Sequence, residues 1–538
     1  MSKDERITYH PTICITQKCN LNCKYCYQHH DNRSMVFDTA KRCIDEIFQK
    51  DAADADRIEV NFIGGEPLLE YDLLKKLFEY TKVTYNKPFY FFATTNGTLL
   101  NENMKNWFID HKYDFILGLS LDGDKETHDY NRSNSFNKID IDFFRTTYPL
   151  QNVKMTLTEF SLKHFAKAVK YIHSRGFDFI GGVNLYEGTF DWSKDEYLYV
   201  LIPQLNELVE YYLVNPNQAN QMFKKSLAGL EANNIRKPKK YCGIGTGTAF
   251  YDVDGTKQPC SYCTPMTFDS ETLEKISKTD FSTPENFIDK DCFNNCYIYP
   301  ICPHCSGANY LATGSFSKWD KSKCKIQKLI ALFIADLEAK KVISDPKLYD
   351  KAKTYHTINA IKKIRELYLP DLEKIFKSAE EIERIKERII SAGEISKGNW
   401  RRRKWTADLN NCFIDYWIKK NYSVYCKTKG ATGKEWLYDI TICKQTEDSI
   451  DETYLVAESE WNLNEEDIWY DFQKLLLSNS NYKVMIFQQK TIEEQEKMFT
   501  DMTKQIKSYK KCNGIFILAC YTKDYGYDFE LVNCNNVN

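Results

Sequence analysis

The chain has no excess charge of either sign: 73 basic side chains nearly balance 75 acidic ones over 538 residues, a formal net charge of −2. No global field therefore recruits nucleic acid or an anionic membrane. Long apolar runs are missing as well. No stretch approaches the about eighteen uninterrupted apolar residues of a spanning helix, and residues 1–18 hold no basic-then-apolar leader. These absences predict a soluble, cytoplasmic protein with no membrane partner. Long disorder is excluded too, because 43% of the residues are hydrophobic and 14% aromatic. The length predicts about three domains.

Cysteine, by contrast, is plentiful, with nineteen residues. An odd number on so long a chain does not describe a small disulfide scaffold. The thiols instead cluster in metal-like spacings, as suits a reducing compartment. The tightest group is Cys19, Cys23 and Cys26 in CNLNCKYCY, with the aromatic Tyr25 just before the last thiol. Three thiolates from one loop can hold three irons of a cubane cluster and leave the fourth free for a cofactor. A zinc knuckle is the bland alternative. Cys14, in the apolar run Thr12–Thr16, reads as a buried strand residue.

From Thr12 to about Asn184, short apolar runs alternate with amphipathic stretches. The runs begin near Thr12, Ile58, Phe89, Phe115, Val153 and Phe177, and helical patterns such as Tyr71–Tyr80 and Phe165–His173 lie between them. Strands joined by crossover helices are parallel, which predicts an α/β fold with a partial (β/α)6 TIM-type barrel. Such barrels carry their chemistry at the C-terminal ends of the strands. The cysteine loop follows the first strand. Gly64, Gly65, Glu66 and Pro67 follow the second, Asn96 and Gly97 the third, and Ser120, Leu121, Asp122 and Gly123 the fourth. Paired glycines let backbone approach a ligand, and Glu-Pro fixes a polar edge on a stiff turn.

CNLNCKYCY resembles the signature of radical S-adenosylmethionine (radical SAM) enzymes. The resemblance implies a 4Fe-4S cluster on Cys19, Cys23 and Cys26 that chelates S-adenosylmethionine. It also implies one-electron cleavage to a 5′-deoxyadenosyl radical, fed by an external reductant such as flavodoxin or ferredoxin. Tyr25 matches the family's aromatic position. Gly64, Gly65, Glu66 and Pro67 match its GGEP-like segment, which contacts the methionyl amine, and Asn96, Ser120 and Asp122 fall near the ribose or methionyl carboxylate. The run from Ser120 through His128, Asp129 and Arg132 is similar to one in anaerobic sulfatase-maturing enzymes and their peptide-modifying relatives. It makes those three residues candidates to orient the cofactor or a peptide carboxylate, against the plainer reading of a loop or helix cap.

A second field holds Cys242, Cys260, Cys263, Cys292, Cys296, Cys302, Cys305 and Cys324. Asp254 and Gly255 mark a hairpin tip that leads to Cys260, and the Gly-rich run from Gly243 reads as hairpin geometry. The layout resembles a SPASM-like extension, which implies two auxiliary clusters. By resemblance one takes Cys292, Cys296, Cys302 and Cys324. The other takes Cys242, Cys260 and Cys305, with Cys263 as a fourth ligand or with an open position. Zinc-ribbon spacing keeps a zinc reading open. Sulfatase-maturing enzymes carry an aspartate directly after the residue matching Cys260, where this chain has Ser261. A different peptide modification, such as a thioether or carbon-carbon crosslink, follows from that departure.

Residues from about Gln327 to Gly398 read as a helical connector. Arg401–Lys404, between Trp400 and Trp405, offers either a phosphate-binding cluster or a solvated helix start. Beyond it, strand and helix patterns predict a separate α/β domain with a weak likeness to the PD-(D/E)xK nuclease fold. Asp439, Glu458 and Glu460 are its candidate carboxylates for a divalent cation, although Glu460 stands where that fold has its lysine. The predicted segments are 1–235 for the barrel, 236–328 for the cysteine extension, 329–399 for the connector and 400–538 for the C-terminal domain. The expected function is radical modification of a peptide or protein side chain. Two alternatives stay open: a nucleic-acid-directed radical protein whose C-terminal domain binds or cuts, and a non-catalytic cluster-bearing scaffold.

Overall fold

The computed structural model describes residues 7–26, 28, 30–185, 191–232, 237–396, 402–446 and 449–534. Of the basic cluster, Trp400 and Arg401 lie outside the described residues. The chain divides into two compact units, Met1–Ser193 with Gln204–Leu372, and Lys194–Pro203 with Glu373–Asn538. Segments 1–235 and 236–328 thus lie in the first unit, apart from residues 194–203. No helix among the described residues is long and apolar enough to cross a membrane.

The first unit is built on six parallel strands, β1 (Thr12–Thr16), β2 (Arg57–Gly64), β3 (Phe89–Thr95), β4 (Phe115–Leu119), β5 (Val153–Leu157) and β6 (Phe179–Leu185). Crossover helices join them: α1 (Phe37–Glu46), α2 (Tyr71–Thr84), α3 (Glu102–Asp110), α4 (Lys125–Asn131) with α5 (Ile141–Thr147), and α6 (Phe165–Ser174). β1 to β4 pair in order, β5 pairs β6, and a parallel bridge between Ser120 and Lys154 carries the curved wall from β4 to β5. The predicted partial barrel is therefore present. Side-chain caps begin several of the helices, with Asn101 accepting from Met104 N on α3 and Asp124 from Thr127 N on α4.

The strands are not buried on both faces. Along β2, Ile58, Val60 and Phe62 are fully buried while the residues between them are only partly so. The outer face packs on helices and the inner face opens onto a cavity, so the period is two. An aromatic cluster anchors the outer layer. Phe78 of α2 stands 5.7 Å from the Phe91 ring and 5.5 Å from Trp107, and Phe91 lies 4.8 Å from Phe62 and 5.6 Å from Phe115.

After the barrel, β7 (Phe250–Tyr251) joins the sheet parallel to β1 and turns at Gly255, φ 84°, into antiparallel β8 (Lys257–Gln258). This is the expected hairpin. The connector comprises α7 (Cys324–Ser344) and α8 (Lys351–Ser396).

The second unit holds α9 (Arg402–Trp417), β9 (Ser423–Tyr425), β10 (Ile440–Gln445), β11 (Ile450–Glu460), α10 (Glu465–Leu476), β12 (Tyr482–Gln489), α11 (Ile492–Ser508), β13 (Ile515–Thr522) and β14 (Gly526–Asn533). Its six strands lie in sequence order, parallel from β11 to β13 and antiparallel at both flanks. Helix α11 and strands β9 and β14 were not anticipated. One disulfide, Cys512–Cys534, ties the entry of β13 to the end of β14, and the other cysteines are free thiols.

Phe78→Ala removes the ring that touches three elements of the barrel layer. It is expected to cost about 3–5 kcal/mol, read by denaturant unfolding followed through tryptophan emission.

Candidate active site

The loop after β1 is held open by neighbours at the strand tops. Gly65 N donates to Thr16 O at 3.1 Å and Glu66 N to Lys18 O at 2.9 Å. Asn96 Nδ2 donates to Asn20 Oδ1 at 2.9 Å, and Asn20 Nδ2 to Thr98 Oγ1 at 2.8 Å. At the loop base, Gln17 Nε2 donates to Asp252 Oδ1 of the hairpin at 3.2 Å. Gly65 cannot be replaced freely, because a Cβ there would fall 2.2 Å from Lys18 O and 2.8 Å from Cys19 Cβ.

Glu66 is 1% exposed and its oxygens are fully engaged. Oε1 accepts from Leu68 N at 3.0 Å and Thr95 Oγ1 at 2.7 Å, and Oε2 accepts from Asn96 N at 2.7 Å. Burial pushes its carboxyl up despite these donors. Glu66 thus clamps the tops of β2 and β3 together. Pro67 starts a short 3-10 turn behind it.

Asp122 is fully buried and gathers donors from four residues. Oδ2 accepts from Tyr25 Oη at 2.9 Å, Arg132 Nε at 2.8 Å and Asn131 Nδ2 at 3.4 Å, while Oδ1 accepts from Thr156 N at 3.0 Å. The Arg132 guanidinium lies 5.2 Å from the Tyr25 ring. His128 and Asp129 follow the plainer reading. His128 Nε2 meets Ser135 Oγ at 3.1 Å, and burial pulls its imidazole down to about 4. Asp129 accepts from Phe136 N at 2.8 Å and pairs with Lys125.

A cavity of about 700 Å³ opens at this end of the strands. Cys19, Cys23 and Cys26 line one side, with Tyr25, Gly64, Gly65, Asn96, Ser120 and Arg132 beside them. Cys242, Cys302 and Cys305 line another side. Burial pushes Cys23 up to about 11 and Cys302 up to about 12. A smaller cavity behind them is lined by Cys292, Cys296, Cys302, Cys305 and Cys324.

The second cysteine field falls into two electrostatic groups. Cys302 feels Cys296, Cys324 and Cys292, whereas Cys263 feels Cys260, Cys305 and Cys242. Cys260 and Cys263 stand 3.5 Å apart, with Cys263 packed in an apolar core beside Phe287 and Phe316. Among the described residues no three His, Cys, Asp or Glu side chains close around a single ion. A cubane gives each thiolate its own iron, so its ligands stand around a rim instead. Three thiols in one cavity beside a polar backbone cradle fit such a group.

Several residues at the site escaped the sequence reading. His30 Nε2 meets Cys26 Sγ at 3.3 Å, with Nδ1 3.1 Å from Gln17 O. Lys321 Nζ donates to Cys292 Sγ at 2.7 Å. His304, common to both cavities, stacks 3.6 Å from Trp319, and burial pulls it down to about 4. For His30, its place four residues after Cys26 was the available signal.

The radical SAM superfamily matches residues 13–192. The chain contains a radical SAM domain. The superfamily uses a 4Fe-4S cluster and S-adenosylmethionine, and sulfatase-maturating enzymes are among this chain's relatives. A cysteine-type anaerobic sulfatase-maturating enzyme of Clostridium perfringens is 28% identical over 267 residues, covering 45% of this chain and 71% of that protein. The radical SAM cyclopropyl synthase TigE of Paramaledivibacter caminithermalis is 22% identical over 356 residues, covering 59% and 72%. The solved structure of anSMEcpe with bound AdoMet aligns with TM-score 0.49 at 20% identity, over 64% of this chain and 98% of that one.

In the second unit the three acids expected to gather on a cation are each engaged by a neighbouring group, and Asp439 lies within electrostatic reach of Glu458. Asp439 Oδ2, just before β10, accepts from Ser459 N at 3.0 Å and Ser459 Oγ at 2.8 Å. Glu458 ion-pairs with Lys474 of α10, and Glu460, last in β11, accepts from Asn462 N. Glu458 and Glu460 share strand parity, with Glu460 still paired across the sheet to Phe487.

Two predictions follow from these contacts. Gly65→Ala is expected to lower the thermal midpoint by several degrees and to free Cys19, read as faster alkylation by iodoacetamide. Burial pushes Glu458 from 4.5 up to about 8. The folded state therefore keeps a proton that the unfolded state loses, so the stability it contributes below pH 4.5 falls away as pH rises through about 8. Melting across pH 4 to 9 should show that decline in the wild type and a flatter curve in Glu458→Gln.

Proposed function

We propose that this chain is a radical SAM maturase acting on a peptide or protein side chain. The observation that carries the reading is the single cavity of about 700 Å³ shared by Cys19, Cys23, Cys26, Cys242, Cys302 and Cys305. Its volume lies within the roughly 300–1,000 Å³ of ligand sites, which leaves room for a cofactor and a substrate side chain together. The sulfatase-maturating enzyme and cyclopropyl synthase relatives support the same class.

In this reading Cys19, Cys23 and Cys26 hold the reducing cluster. The backbone at Gly64 and Gly65, with Asn96, Ser120 and Arg132, receives S-adenosylmethionine. When bound, the two together supply a 5′-deoxyadenosyl radical. The residues around them exclude water and fix orientation. Asp122 holds Tyr25 against the loop, and Glu66 holds the strand tops. Cys292, Cys296, Cys302 and Cys324 would carry one auxiliary cluster, and Cys242, Cys260 and Cys305, with Cys263, the other. Ser261 in place of an acid favours a crosslink over sulfatase maturation. A flavodoxin or ferredoxin is the reductant of choice. Segments 1–235, 236–328 and 329–399 then serve as barrel, cluster extension and connector, with 400–538 as an accessory domain. The nucleic-acid alternative gains nothing from Asp439, Glu458 and Glu460, whose carboxylates are turned to separate partners.

Anaerobically reconstituted, reduced protein is expected to release 5′-deoxyadenosine from S-adenosylmethionine. Replacing Cys19, Cys23 and Cys26 together by Ala should abolish that product and lower bound iron by about four per chain. Fully iron-loaded wild type that forms no 5′-deoxyadenosine would defeat the proposal.

A further inference from the structure

The charge lining the main cavity is lopsided. Glu66 is the one carboxylate among its described lining residues, and it is spent on Leu68, Thr95 and Asn96. Arg132 is bound to Asp122. Three further cations, Lys154, Lys225 and Lys323, also line the cavity, and among the described residues neither Lys154 nor Lys225 has a carboxylate within ion-pairing distance. Lys225 lies within electrostatic reach of Cys302 and belongs with the thiols there. Lys154 is different.

Lys154 is the second residue of β5, where Val153, Met155 and Leu157 point into the packed layer and Lys154 and Thr156 face the cavity. Its ammonium donates to Thr94 Oγ1 at 2.8 Å and lies 5.3 Å from the Phe92 ring. The acid it feels most is Glu59, whose carboxylate is already taken by Tyr90 and, at 3.2 Å, by His10. An ammonium has three donors, so Thr94 leaves capacity for an incoming acceptor. Burial pulls the group down, and a bound anion would reverse that penalty.

We infer that Lys154 is a specificity-determining residue that receives a carboxylate of the peptide substrate, an Asp or Glu side chain or a free C-terminus, inside the cavity. The inference rests on the maturase reading above and names its substrate class as acidic at one position. The methionyl carboxylate of S-adenosylmethionine has the same chemistry, so the test must separate the two sources.

Cluster-loaded, S-adenosylmethionine-bound full chain is used anaerobically to select from a short-peptide library randomised at each position, in C-terminally amidated and free-acid forms. The wild type is expected to enrich Asp, Glu or the free acid by about tenfold, the scale of one charge-assisted contact. Lys154→Arg should keep that preference, Lys154→Gln should lose it, and Lys154→Glu should shift it toward Lys and Arg. S-adenosylmethionine affinity by equilibrium dialysis should stay within about twofold in Lys154→Gln, since the contact is assigned to the peptide. A wild type with no acid preference overturns the inference, and so does Lys154→Glu with the wild-type profile. Lost S-adenosylmethionine binding with an unchanged peptide profile would assign the lysine to the cofactor and also overturn it. Failure of the maturase reading registers separately, as absence of 5′-deoxyadenosine from the wild type.

Discussion

The cysteine loop keeps its place because a buried carboxylate holds it. Asp122 has no solvent contact, and it binds the Tyr25 hydroxyl, the Arg132 guanidinium and the Thr156 amide at once. Those partners come from the cysteine loop, the end of α4 and β5. A carboxylate stripped of water is costly unless every lone pair is used. The network meets that demand, and the Arg132 guanidinium is held charged although burial is the largest single influence on it, with Asp122 first among the groups that together overcome that burial. Losing either member would leave the other charge buried and unpaired, at about 3–5 kcal/mol. The three thiols inherit their positions from this pair and from the clamp that Glu66 places across β2 and β3.

That arrangement explains why the barrel is hollow at one end. The strand tops spend their polar groups on one another, leaving glycine backbone and thiols to face the cavity. The outer faces carry the packing, with Phe62, Phe78, Phe91 and Phe115 all fully buried. Dry aromatic layers hold the frame, and the lumen is released from core duty. A cavity can persist there because the layer around it is close-packed and does not collapse.

The second unit solves a similar problem differently. Glu458 is also buried, but its counter-ion is a lysine from the next helix, and that lysine is shared with Asp471 at 3.2 Å. Two acids divide one cation, so burial dominates and Glu458 holds its proton further up the pH scale. This arrangement stabilises a strand-helix contact. It leaves both carboxylates engaged by the same lysine.

The six barrel strands and the hairpin at Gly255 were legible in the sequence because their signals are local: apolar runs of strand length, and a residue pair suited to positive φ. The thiol spacing likewise announced Cys19, Cys23 and Cys26. Strands β9 and β14 were missed because their polar and mixed residues carry no clear period, and their pairing is supplied by neighbours distant in sequence. Lys154 was illegible for a subtler reason. Val153, Lys154, Met155 and Thr156 alternate as a half-solvated surface strand does, and the pattern is the same whether the polar face meets bulk water or an internal cavity. Closure of the wall through Ser120 and Lys154 decides between them. That closure is tertiary, made by a bridge across 33 residues of intervening chain, and no window on the sequence contains it. The same residue that closes the wall is thereby turned inward, which is why the least predictable cation in the barrel stands where a ligand would meet it.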